Sequence, residues 1–190
     1  MPIFYRGAAL GTYWHENDAR LTGFTSHYPG AGCTLSRVMQ HIVRGTTASP
    51  YVSLTRSYGI ALGYALAGCA PPTLSNPAFV YEIEIDELDG LGTRLLDPLT
   101  EVVKGLGSPY DSRPYQHDGE ASFLLGIADP VDHHDDLNQP VRYAPPGQGT
   151  MRSPLLGIEL ECMVLSLRDA EVLAVGAVAK AQVHRRICIR

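Results

Sequence analysis

The sequence predicts one α+β domain over residues 1–190, in which strands and helices follow one another without regular alternation. Alternating and short apolar segments predict strands near both ends and in the middle of the chain, and amphipathic segments between them predict helices. Apolar residues make up 45% of the chain and charged residues 18%, which favours a packed core over disorder. The irregular order of elements argues against a doubly wound parallel sheet.

The clearest strand is predicted from Phe79 to Asp86, where apolar and acidic residues alternate. Tyr81, Ile83 and Ile85 point to one side of such a strand and the acidic residues between them point to the other. Shorter segments with strand-forming residues predict four more strands, at Pro2–Arg6, Tyr51–Thr55, Glu171–Val175 and Val183–Ile189. We expect the strands to form two packed, mostly antiparallel sheets with flanking helices.

Three helices are predicted outside the irregular region around residues 105–154. The first begins after Thr34, a favourable N-cap residue, and ends at Gly45. Ser57 is placed to cap the second helix, in which Ile60, Tyr64 and Ala67 share a face. The segment from Gly157 to Arg168 fits a helix or a strand, and its content of Glu, Leu and Met favours a helix.

A long irregular insertion is predicted around residues 105–154, where Gly, Pro, Asp and His are frequent, with a short helix around Ala121–Ile127. It contains the sequence Asp-His-His-Asp-Asp at 132–136, whose residue types suit a metal ion. Adjacent side chains point apart, however, and Pro130 and Pro140 flank the segment. A solvated loop is therefore the favoured interpretation, and we predict no metal site.

Composition narrows the function classes. The net charge is −5 and no block of Lys or Arg stands out, so non-specific affinity for nucleic acid is not expected, although a nucleic acid as substrate stays open. No apolar run reaches the ~18 to 20 residues that span a membrane, and no secretory signal is recognisable, so we expect a cytoplasmic protein without membrane insertion. The four cysteines lack zinc-site spacing and are expected to be buried thiols.

Three short segments carry the candidate site: Phe4-Tyr5-Arg6-Gly7 at the end of the first strand, Tyr51–Thr55 followed by Ser57 and Ala61–Ala65, and Asp169–Gly176. In this order they resemble the Arg-Ser-Glu mono-ADP-ribosyltransferases, the group of cholera-toxin-like enzymes. The resemblance extends from Phe4 to Ile189. It implies a split β-sandwich of two sheets with flanking helices. The cleft between the sheets is expected to bind NAD⁺, which is the substrate.

The chemistry of NAD⁺ suits these residue types. The guanidinium of Arg6 can form paired, charge-assisted hydrogen bonds with the diphosphate. Departure of nicotinamide leaves a positive, oxocarbenium-like ribose, which the carboxylate of Glu171 can stabilise more strongly in the transition state than in the ground state. The resemblance implies these same roles, and it adds that Ser53 orients Glu171.

Further residues are expected around NAD⁺. Tyr5 and Gly7 flank Arg6, and the resemblance implies aromatic packing on nicotinamide, for which Tyr58 and Tyr64 are candidates. The family commonly has Ser-Thr-Ser where this chain has Ser53-Leu54-Thr55; since Leu54 points to the opposite face, Ser53 and Thr55 can still face the cleft together.

The acceptor side departs from the family. Two positions before the catalytic glutamate the family commonly has Glu or Gln, which helps to choose the acceptor, and this chain has the shorter Asp169. The acceptor, whether a protein side chain or a nucleic-acid base, is therefore open.

A rival glutamate exists at Glu120 in Asp-Gly-Glu-Ala-Ser-Phe-Leu-Leu-Gly. We favour Glu171, because only the closing strands follow it, as the resemblance implies.

The predicted reaction is metal-independent transfer of ADP-ribose from NAD⁺ to a macromolecule. A toxin or effector with an antitoxin or immunity protein as partner fits this prediction, as does an intracellular modifier. Three alternatives stay open: an NAD⁺ glycohydrolase on the same fold, a non-catalytic interaction protein that keeps the fold, and a metal-dependent hydrolase that uses His133 and His134.

Overall fold

The computed structural model describes residues 2–45, 48–85, 92–105 and 158–190. Within these ranges the chain is α+β, as predicted. The short helix predicted around 121–127 and nearly all of the predicted insertion at 105–154 lie outside the described residues.

All five predicted strands and the three helices predicted within the described residues are confirmed, with ends that differ by at most two residues. The described strands are β1 (Ile3–Ala8), β2 (Phe24–Thr25), β3 (Tyr51–Thr55), β4 (Ala78–Glu84), β5 (Leu95–Leu96), β6 (Glu171–Val175), β7 (Ala177–Val178) and β8 (Val183–Ile189). The described helices are α1 (Tyr13–Glu16), α2 (Ala19–Thr22), α3 (Leu35–Arg44), α4 (Tyr58–Leu66), α5 (Pro98–Gly105) and α6 (Ile158–Arg168), with a 3₁₀ turn at Lys180–Gln182.

The strands form two antiparallel sheets of unequal size. The larger sheet has the order β5-β6-β3-β1-β4-β8, and every neighbouring pair in it is antiparallel. The smaller sheet pairs β2 with β7. Two antiparallel sheets were predicted, but the second one has only two strands among the described residues.

Local sequence signals explain where the two central helices begin. The Thr34 hydroxyl accepts a hydrogen bond from the Arg37 amide at the start of α3, and the Ser57 hydroxyl accepts one from the Ile60 amide at the start of α4. Gly45 ends α3 with a φ of 87°, a conformation that favours glycine.

One face of the large sheet packs against the small sheet. This core contains Phe24 of β2 and Val178 of β7, together with the inward side chains of β1, β3, β4 and β6 such as Phe4, Leu54 and Tyr81. Alternation along the strands therefore buries Leu54 on this face, as predicted, while Ser53 points to the other face.

Helices cover the opposite face in two groups. Helix α3 packs on β3 and β6 through Val38, against Tyr51 and Leu173, and α5 and α6 pack beside it. Helix α4 packs on β1 and β4, and it comes so close that a Cβ at Gly7 would overlap backbone atoms of Ala61 and Ala65. Glycine at this position is thus explained by helix packing. A cleft lies between the two groups of helices, and neither β2 nor β7 contributes to its lining, so it does not lie between the two sheets as expected.

Two further observations concern the composition-based expectations. Cys162 is buried, but Cys33, Cys69 and Cys188 are exposed, so the prediction of buried thiols is wrong for these three. The first two lie in loops, and Cys188 lies on the edge strand β8. Among the described residues, no helix is both long enough and apolar enough to cross a membrane.

Candidate active site

The three residues predicted to do the chemistry meet in one cleft of about 380 Å³. Arg6 comes from β1, Ser53 from β3 and Glu171 from β6, and these three strands are neighbours in the large sheet. Residues far apart in sequence therefore meet because strand order places β1, β3 and β6 side by side.

Glu171 is the first residue of β6, directly opposite Thr55 of β3. A turn precedes it, in which Ala170 adopts a φ of 45°, a left-handed conformation that is uncommon for a residue with a Cβ. The Glu171 side chain is 11% exposed. Burial raises the pKa of this carboxyl to about 7, although a hydrogen bond with Ser53 and the positive charge of Arg6 act in the opposite direction.

Ser53 links Glu171 to a buried histidine. The Ser53 hydroxyl lies 2.7 Å from Nε2 of His41 on α3, and Nδ1 of His41 lies 2.5 Å from the Ser49 hydroxyl. The Ser53 hydroxyl donates to the Glu171 carboxylate, so its oxygen accepts from Nε2 of His41. We therefore assign the ring proton to Nε2, and Nδ1 accepts from the Ser49 hydroxyl.

His41 is neutral at pH 7. Burial, and secondarily the positive charge of Arg6, lowers its pKa to about 4. Its Nε2 lies 3.7 Å from Oε1 of Glu171, so this contact joins a carboxylate to a neutral imidazole. His41 thus positions the Ser53 hydroxyl through a hydrogen bond, and it contacts Glu171 as an uncharged ring.

Arg6 is held in the floor of the cleft. Its Nη1 donates to the Ser53 carbonyl oxygen at 2.5 Å, and its guanidinium carbon lies 5.7 Å from the centre of the Phe24 ring. Its Nε is buried and has no hydrogen-bond partner among the described residues. Burial lowers the Arg6 pKa to about 10, so the side chain stays cationic at pH 7. The site therefore offers a buried donor to an anionic ligand.

Asp169 lines the same cleft and is the first residue of the turn that precedes Glu171. Arg168 donates to both of its carboxylate oxygens, each at 2.7 Å, and the Tyr64 hydroxyl donates to one of them at 2.5 Å. The hydrogen bonds from Arg168 lower the pKa of Asp169. The Thr55 hydroxyl donates to the Asp169 carbonyl oxygen at 2.5 Å and fixes the backbone of the turn.

The remaining predicted residues divide into two groups. Tyr5, Gly7, Thr55 and Tyr64 line the cleft. The Thr55 hydroxyl is already engaged, because it also accepts from the Ser57 amide. Tyr58 is not among the lining residues; it packs edge-to-face on Tyr5, with ring centres 5.6 Å apart, and is 38% exposed.

His41 and Arg168 are the site residues that sequence reasoning did not predict. His41 lies three residues after Val38, on the face of α3 that is buried, and a polar residue on an otherwise apolar helix face was the available signal. Arg168 gave no such signal, since a basic residue in the last turn of a helix is ordinary.

Two other candidates lie outside the described residues: Glu120 and the acidic and histidine cluster at 132–136. In the part of the chain that the structure describes, no group of three His, Cys, Asp or Glu side chains is placed to hold a metal ion. A scan of protein-family models finds no match to the chain, and a search of curated proteins also finds none.

Proposed function

We propose that this chain is an NAD⁺-dependent mono-ADP-ribosyltransferase, which cleaves the nicotinamide–ribose bond and transfers ADP-ribose to a macromolecule. On this proposal, the large sheet, the small sheet and their helices together form the split β-sandwich of that family. The observation that supports it best is the convergence of Arg6, Ser53 and Glu171, predicted from three separate segments, in one cleft.

Arg6 is proposed to bind the NAD⁺ diphosphate. Its buried Nε has no partner among the described residues, and its cationic guanidinium is suited to paired hydrogen bonds with phosphate oxygens. Because Nη1 is already fixed on the Ser53 carbonyl, the orientation of the guanidinium is set before NAD⁺ binds.

Glu171 is proposed to stabilise the ribosyl cation. When the bond between ribose C1′ and the nicotinamide nitrogen breaks, its electron pair stays on the nitrogen and positive charge develops on the ribose. A fixed carboxylate beside the ribose stabilises that charge. The Ser53 hydroxyl and the neutral His41 ring orient this carboxylate from the side of α3.

The transfer step completes the reaction. A nucleophilic atom of the acceptor forms the new bond to C1′, nicotinamide leaves as a neutral molecule, and the proton that the acceptor loses passes to water. If water takes the acceptor's place, the same site hydrolyses NAD⁺. The acceptor is proposed to be a protein or a nucleic acid. Two biological roles fit this activity. The protein is either a cytoplasmic toxin or effector, inhibited by an antitoxin or immunity protein, or an intracellular modifier.

The test uses NAD⁺ labelled in its adenylate half, incubated with the protein and fractionated cell lysate. We expect nicotinamide release together with label on a macromolecular fraction, and loss of both with Glu171→Gln. Glu161→Gln, an exposed residue on α6, is the control that should behave as wild type.

Two results would contradict the proposal. Rapid nicotinamide release without label on any fraction would identify an NAD⁺ glycohydrolase. Absence of NAD⁺ binding and turnover, with Glu171→Gln indistinguishable from wild type, would identify a non-catalytic protein with this fold.

A further inference from the structure

The carboxylate of Asp169 already accepts hydrogen bonds from two side chains, those of Arg168 and Tyr64. Arg168 holds both oxygens through a planar fork, with Nε and Nη2 each 2.7 Å away, and Tyr64 adds a third hydrogen bond. The backbone of Asp169 is also fixed, because the Thr55 hydroxyl donates to its carbonyl oxygen. Asp169 lies two residues before Glu171, and Arg168, Asp169 and the proposed catalytic glutamate line the same cleft.

We propose that Arg168 determines acceptor specificity: its hydrogen bonds to the Asp169 carboxylate prevent that carboxylate from binding a cationic acceptor. The acceptor is then a nucleophile that is uncharged or anionic before it attacks, and an arginine guanidinium is not a substrate. The inference rests on the proposed function and concerns only the acceptor side of that site.

The chemistry of a guanidine acceptor explains the discrimination. Attack forms a bond from the acceptor nitrogen to ribose C1′, the bond from C1′ to nicotinamide breaks, and the electron pair leaves on the nicotinamide nitrogen. A guanidinium is protonated at neutral pH, so its nitrogens have no free lone pair with which to attack. A carboxylate must therefore bind it and take up its proton. Asp169 lines the same cleft as Glu171, but its oxygens accept hydrogen bonds from Arg168 and Tyr64, and its pKa is lowered.

The positive charge of Arg168 also disfavours a cationic acceptor. The Arg168 side chain is 60% exposed and lines the cleft, so an approaching guanidinium meets a positive charge there. Repulsion between exposed charges is weak in water. The main effect therefore comes from the loss of a free carboxylate, while the positive charge of Arg168 favours acceptors that are not cations.

The experiment uses agmatine as the probe of a guanidine acceptor, with labelled NAD⁺ and with nicotinamide release measured in the same samples. Wild type should release nicotinamide and label agmatine only at background level. Arg168→Gln and Arg168→Met remove the paired hydrogen bonds of Arg168 from the carboxylate and should raise agmatine labelling about fivefold, the effect of an exposed ion pair with good geometry. Adding Asp169→Asn to Arg168→Gln should abolish the gain.

The matched control is Arg20→Gln. Arg20 also forms a fork onto a neighbouring carboxylate, that of Asp18, and is 44% exposed, but it does not line the cleft. It should leave agmatine labelling at background and nicotinamide release unchanged.

Each outcome bears on a distinct claim. Wild-type labelling of agmatine equal to that of Arg168→Gln would overturn the inference, as would Arg168→Gln and Arg168→Met proteins that release nicotinamide without labelling agmatine. Absence of nicotinamide release from wild type would overturn the proposed function itself, and this inference with it.

Discussion

Replacing Glu171 with glutamine should make the protein more stable above pH 7, although it removes the proposed catalytic group. Burial raises the pKa of Glu171 from 4.5 to about 7. The folded state therefore disfavours the charged carboxylate relative to the unfolded chain. Glutamine keeps the size of the side chain and can hydrogen-bond with Ser53, but it carries no charge to desolvate.

The magnitude follows from the pKa difference. Each pKa unit corresponds to about 1.4 kcal/mol, so a shift of this size costs the wild type roughly 3 kcal/mol once Glu171 is fully ionised. A raised carboxyl pKa leaves stability intact below the unfolded value, and stability is lost as the pH rises through the folded value. The gain from Glu171→Gln should thus be under about 1 kcal/mol at pH 5 and roughly 3 kcal/mol at pH 8.

Urea unfolding at pH 5 and pH 8 measures this difference. Glu161→Gln serves as the control, because Glu161 is exposed on α6 and its replacement should change stability little at either pH. A Glu171→Gln protein that is less stable than wild type at pH 8 would refute the reasoning. It would mean that the charged carboxylate is a net stabilising partner of Arg6.

Three further predictions concern turnover and binding. The kcat/KM for nicotinamide release should fall about tenfold per pH unit below about 7, because Glu171 must be ionised; a flat profile from pH 5 to 8 would contradict this role. Arg6→Lys should clearly weaken NAD⁺ binding measured by calorimetric titration, because a point charge cannot replace a planar fork; wild-type affinity would remove Arg6 from the diphosphate site. Turnover should survive EDTA and the double change His133→Ala and His134→Ala, because the departing nicotinamide nitrogen is already cationic; loss in either case would favour the metal-dependent alternative.

Local signals in the sequence predicted much of the fold. The caps Thr34 and Ser57 and the alternation along β4 each act within a few residues, so they can be recognised without tertiary information. Strands of two residues such as β2 and β7 are too short to show a period, so the two strands of the small sheet were not predicted, although a second sheet was expected.

The candidate site was predictable only in part. Arg6, Ser53 and Glu171 were identified through a resemblance, and their meeting depends on the strand order β6-β3-β1. The contacts of His41 with Ser53 and of Tyr64 with Asp169 depend on how helices pack on the sheet. Tyr64 and Asp169 are 105 positions apart, so no local pattern reports that contact.

The most direct test of the central claim compares nicotinamide release from NAD⁺ by wild type, Glu171→Gln and Glu120→Gln. Losing a preorganised electrostatic contact typically costs about 10²- to 10³-fold in rate. Glu171→Gln should show that loss while NAD⁺ affinity stays within severalfold, and Glu120→Gln should have a mild effect. Loss of activity in Glu120→Gln with normal activity in Glu171→Gln would contradict the assignment of the catalytic glutamate.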